Sequence, residues 1–85
     1  MIATLFSQPG CDESLFAAAD LTECGIEFLV RDVRFSADAA VDCVDWYRTE
    51  RPDAVPSTPV VVIDHHAYFG AVELHRHLRD MAVAA

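Results

Sequence analysis

An α/β fold, a three-layer α/β/α sandwich on a mixed four-stranded sheet, is predicted by three observations. Apolar runs of strand length alternate with stretches of helical periodicity in the order β-α-β-α-β-β-α. Helix-length crossovers separate the first three strands, which predicts that these three run parallel. The last two strands are separated only by Asp64-His65-His66, a turn that makes the fourth antiparallel to the third. Helices then cover both faces of the sheet. At 85 residues the chain is read as one domain, residues 1–85, too short for two independent cores.

Each element has its own signal. Residues 2–7, Ile-Ala-Thr-Leu-Phe-Ser, form the first strand, which stops at Gln8-Pro9-Gly10. From Asp12 to about Cys24 the pattern is helical, with Leu15, Ala18, Ala19 and Thr22 on one face and Gly25 as the stop. Residues 26–33 form the second strand. Ser36 caps a second helix whose Ala37, Ala40, Val41, Val44 and Tyr47 recur at helical spacing, and Pro52 ends it at the latest. A link from Pro52 to Pro59 leads into Val60-Val61-Val62-Ile63, an unbroken β-branched run that suits a strand buried on both faces. The partner strand is short, Ala67 to Phe69, and Gly70 breaks it. A last helix begins near Ala71 with a face of Leu74, Leu78 and Met81.

Charge and cysteine usage narrow the function. The net charge is −8 and all six basic residues are Arg, too few to cluster against phosphate, so neither nucleic acid nor an acidic membrane is a partner. The start, Met1 to Phe6, lacks the basic region and long apolar stretch of a signal peptide, and no run approaches the ~20 apolar residues of a spanning helix. Cysteines 11, 24 and 43 are odd in number and contain no Cys-x-x-Cys pair. That fits neither a secreted disulfide framework nor a closed zinc site, and a reduced, cytoplasmic setting is expected. A Cys11–Cys24 bridge would have to span roughly 20 Å of helix, against a limit of ~7 Å between Cα atoms. His65, His66, His75 and His77 do not converge at ligand spacing and are read as solvated. Cys24, Cys43, Trp46 and Tyr47 are read as packing residues, and the small domain is expected to be a monomer.

Cys11 carries the chemistry. It lies where the first strand meets the first helix, beside unpaired N–H groups and the positive end of the dipole, which favour an anion. Thiolate is the reactive form, and a thiol with a pKa of ~8.5 is only slightly ionised at neutral pH, so this placement matters.

The segment Leu5-Phe6-Ser7-Gln8-Pro9-Gly10-Cys11-Asp12-Glu13-Ser14 resembles the active-site segment of the glutaredoxins, in which a strand runs into Pro-x-Cys-x-x-Cys or a monothiol Cys-x-x-Ser. Thr58-Pro59-Val60-Val61-Val62-Ile63 looks like that family's Val-Pro segment, whose proline is cis and faces the thiol; Pro56 competes for the same place. Phe69-Gly70-Ala71-Val72-Glu73-Leu74 is similar to its Gly-Gly-x-Asp-x-Leu turn into the last helix. The resemblance implies a thioredoxin-fold, glutaredoxin-like protein in which Cys11 attacks protein disulfides or glutathione mixed disulfides. Glutathione would be the cosubstrate, with Gln8, Glu13, Thr58, Pro59, Gly70, Ala71 and Val72 around it. Ser14 stands at the resolving position. A hydroxyl cannot close an intramolecular disulfide, so the implied cycle is monothiol and is resolved by an outside thiol.

Some positions depart from the pattern. Gln8 stands where the family usually carries Lys, and Val72 where it tends to place a polar residue. Asp12 and Glu13 oppose ionisation of the thiol, although acids also suit a first helical turn. Arg48 and Arg51 end the second helix near the family's glycyl-carboxylate contact, a place that the dipole favours in any case. Two alternatives therefore stay open: a non-catalytic acidic protein-binding module, and a glutathione-dependent iron–sulfur carrier acting through Cys11.

Overall fold

A computed structural model of the protein describes residues 2–84. The elements follow the predicted order: β1 (Ile2–Ser7), α1 (Asp12–Glu23), β2 (Glu27–Asp32), α2 (Ala37–Glu50), β3 (Val60–Ile63), β4 (His66–Phe69) and α3 (Ala71–Ala84). They build one four-stranded mixed sheet in the order β2-β1-β3-β4. No helix among the described residues is long and apolar enough to cross a membrane.

One expectation about the sheet fails. β1 and β2 are parallel, but β3 runs antiparallel to β1 rather than parallel to it, and β4 is antiparallel to β3. The reason lies in the connection after α2. A 14-residue helix is about 21 Å long. Residues 51–59, drawn out, reach ~30 Å, enough to carry the chain back past α2 and into the sheet from the opposite end. The parallel rule holds where the helix itself makes the return, as α1 does between β1 and β2.

Alternation along β1 and β3 serves two cores. Ala3, Leu5, Val61 and Ile63 face α1 and α3, where they meet Ala17, Leu21, Leu74 and Leu78. Phe6 and Val60 face the other way and pack, with Ala67, against Ala39, Cys43 and Tyr47 of α2. Tyr47 meets Phe69 edge to face at 4.7 Å between ring centroids. β3 is thus covered on both faces, as its β-branched run predicts.

The faces of α1 and α2 are rotated from those expected, whereas α3 buries Leu74 and Leu78 as its spacing predicts. In α1 the buried residues are Ser14, Ala17 and Leu21, while Leu15 and Phe16 are 70% and 69% exposed. Positions 14, 17 and 21 share the helix side of Cys11, and the packing of Ala17 and Leu21 in the core under α1 and α3 overrides the apolar count. In α2 the buried line is Ala39, Cys43 and Tyr47, with Val41 exposed. Two small residues at its centre let α2 approach Phe6 and Val60 closely. Ser36 caps α2 as expected, its Oγ accepting from the Ala39 N–H at 3.2 Å. An ion pair between Arg31 and Asp42 ties β2 to α2, with the Arg31 guanidinium 5.4 Å from the Phe6 ring centre.

Candidate active site

β1 delivers the chain to a turn at Gln8–Gly10, closed by the Cys11 N–H donating to the Gln8 carbonyl at 3.3 Å. Gly10 sits at φ 80°, a left-handed conformation that glycine adopts without steric cost. Cys11 follows as the N-cap of α1, with extended backbone (φ −90°, ψ 103°), and its carbonyl accepts from the Ser14 N–H at 3.1 Å. The cysteine side chain does not cap the helix. It donates instead toward the Thr58 carbonyl, with Sγ 3.7 Å from that oxygen.

The facing wall is the entry to β3. The Thr58–Pro59 peptide is cis, so the family feature falls on Pro59 and not on Pro56. Gln8 Nε2 donates to Thr58 Oγ1 at 3.1 Å, pinning the turn before the cysteine to the residue before the cis bond. The Pro59 carbonyl accepts from the Gly70 N–H at 2.9 Å, which joins this wall to the end of β4.

Electrostatics at the sulfur favour thiolate. Burial pushes the Cys11 thiol up, but the hydroxyls of Ser14 and Thr58 and the N–H groups of Ser14 and Glu13 outweigh it together, leaving the pKa below the ordinary thiol value. Ser14 Oγ is buried and completes no hydrogen bond, so its proton remains available to a charged sulfur. Ser14 was expected only as a substitute for a resolving cysteine. Its position three residues after the cap places its hydroxyl on the thiol's side of the helix, a signal legible in the spacing.

A second group forms at the start of α3. Glu13 Oε1 accepts from the Ala71 N–H at 3.4 Å, and a Cβ on Gly70 would sit 3.8 Å from the same oxygen. The carboxylate therefore occupies part of the N-terminal donor set of α3. Val72, the last expected site residue, is exposed and lines a groove between α1 and α3 with Phe16, Ala19 and His75. Cys11, Gln8, Thr58 and Pro59 form one constellation; Glu13, Gly70 and Ala71 form its neighbour.

Arg48 and Arg51 turn elsewhere. Arg51 Nη2 pairs with Glu73 Oε1 at 2.9 Å and its guanidinium lies 4.7 Å from the Phe69 ring centre, while Arg48 lies 3.7 Å from Asp45. Glu73 Oε2 also accepts from the Phe69 N–H at 2.7 Å, so this acid holds the corner before α3, a role the sequence reading did not assign. Among the described residues no three His, Cys, Asp or Glu side chains converge as a metal set.

Fold and site together define a thioredoxin-fold protein with its cysteine at the N-cap position of α1, beside a cis-proline. Solved structures agree on that architecture. A thioredoxin-like protein superimposes with a TM-score of 0.66 at 25% identity, over 89% of this chain and 97% of its own. Glutaredoxin 1 from Francisella tularensis, crystallised with cacodylate, gives 0.69 at 17% identity over 99% and 98% of the two chains. A glutaredoxin from Archaeoglobus fulgidus gives 0.68 at 15% identity over 94% and 84%. No family model and no curated protein matches the chain.

Proposed function

We propose that the protein is a monothiol thiol–disulfide oxidoreductase of glutaredoxin type, working in a reduced, cytoplasmic setting with Cys11 as its nucleophile. The observation that carries this reading is the placement of Sγ: at the start of a helix, with a lowered pKa, beside the backbone of Thr58. The Cys11 thiolate attacks one sulfur of a protein or glutathione mixed disulfide. A new disulfide forms on Cys11, the old one breaks, and the departing thiolate takes a proton from solvent. With Ser14 at the resolving position, a second thiol such as glutathione attacks the Cys11 mixed disulfide. It leaves joined in a new disulfide to the group that Cys11 carried and returns Cys11 to thiolate, so each cycle consumes one disulfide and one outside thiol and yields one new disulfide and the released thiol. An extended substrate lying along Thr58 would gain strand-like hydrogen bonds next to the reacting sulfur.

Intact mass and turnover test this together, in a Cys24→Ser background that removes the other accessible thiol. Oxidised glutathione should add once, at Cys11, and reduction of a glutathionylated peptide should fall to the uncatalysed rate in Cys11→Ser. An unmodified Cys11, with turnover indifferent to Cys11→Ser, sinks the proposal. That result would favour the acidic binding module, for which the exposed Leu15, Phe16 and Val72 beside Asp12 and Glu13 supply a surface.

A further inference from the structure

The outer edge of β2 lies open at one side of the sheet. β2 ends the sheet, and its Leu29 and Val30 are 62% and 58% exposed. Edge strands are ordinarily blunted by Lys, Pro, bulges or a covering element. Glu27–Asp32 contains no Lys or Pro, and its register with β1 runs unbroken from Glu27 to Asp32. The Val33 N–H donates to the Ser7 carbonyl, and backbone groups alternate along a strand, so Glu27, Leu29 and Arg31 spend theirs on β1. Phe28 and Val30 direct theirs outward.

This edge is complementary to itself. Two copies of Glu27-Phe28-Leu29-Val30-Arg31, laid antiparallel about a two-fold axis at Leu29, place Phe28 opposite Val30 as a pair that exchanges both backbone hydrogen bonds. The axis repeats that pair. The same register sets each Glu27 opposite the other copy's Arg31, on the face where the two Leu29 side chains meet. Sliding by two residues either way keeps the hydrogen-bonding sides but leaves Glu27 opposite Leu29 or Val33 and separates the charges. The chain carries −8 overall, so most surfaces of two copies repel, whereas this five-residue stretch is neutral.

We propose that the protein self-associates through β2, a second copy pairing antiparallel about Leu29 to make one eight-stranded sheet. This pairing departs from the expectation of a monomer. The pairing is closed, so it stops at a dimer.

Sedimentation velocity over a concentration series tests it. The wild-type chain should show a monomer–dimer equilibrium below ~1 mM. Glu27→Arg and Arg31→Glu, each alone, should weaken it at least tenfold. An equimolar mixture of the two single variants should dimerise again, as should the double variant. Glu27 is exposed, so its substitution spares the interior; if Arg31→Glu fails to fold without its tie to Asp42, Leu29→Arg takes its place and must abolish the dimer. A chain that stays monomeric to ~1 mM leaves the edge to a strand of some other protein and overturns the proposal. A dimer insensitive to Glu27→Arg overturns it as well.

Discussion

The three cysteines have three different fates. Cys43 is 4% exposed, and burial pushes its thiol up, away from ionisation. Cys24 is exposed where α1 ends. Cys11 combines access with a lowered pKa, because hydroxyl and N–H donors surround its sulfur. In the Cys24→Ser background, alkylation by iodoacetamide should reach half its plateau rate below the free-thiol value of ~8.5. Ser14→Ala removes one donor to a charged acceptor, worth roughly 1.5–3 kcal/mol when desolvated, and should move that midpoint up by about one unit or more. A midpoint unmoved by Ser14→Ala would assign the shift to the Thr58 hydroxyl and the backbone donors. The linkage sign follows from the same shift. The folded pKa lies below the unfolded one, so the stability due to thiolate is complete above ~8.5 and disappears as pH falls through the folded value.

Among the elements, what the sequence made legible and what it hid divide along physical lines. Order and boundaries could be read because each rests on local chemistry: Ser36 as a cap, Gly70 as a break, the β-branched run of β3. The reversal of β3 was hidden because strand direction depends on how far residues 51–59 reach, which periodicity does not report. The faces of α1 and α2 were hidden for a related reason, while that of α3 could be read. α1 has apolar residues on two sides, and the face that wins is the one that packs Ala17 and Leu21 against the sheet. At the site, Cys11 and Pro59 were accessible from the chain, whereas the meeting of Glu13 with Ala71 joins residues 58 positions apart. That contact between α1 and α3 should influence selectivity, which can be measured. Glu13→Gln leaves the N-terminus of α3 without its resident carboxylate. Reaction of Cys11 with oxidised glutathione, which carries carboxylates, should quicken about two- to fivefold, the ratio that 0.3–1 kcal/mol at a helix N-terminus carries. Reaction with the uncharged 2-hydroxyethyl disulfide, measured alongside, should change less. Equal changes for both would mean that Glu13 acts only on the thiol.

At the scale of the whole molecule, an excess of acids over six arginines sets the partners that the surface can accept. A net charge of −8 works against long-range attraction to phosphate backbones and acidic bilayers. Beneath that surface β1 and β3 are shared property. Leu5 and Val61 belong to the layer under α1 and α3, and their neighbours Phe6 and Val60 to the layer under α2. Detaching any helix uncovers strands on which the remaining helices also depend, so neither layer can melt by itself. In deuterated buffer the backbone N–H groups of Leu5, Phe6, Val60 and Val61 should therefore trade their hydrogens last and nearly together, at a rate set by opening of the entire chain. Denaturant should speed all four in parallel.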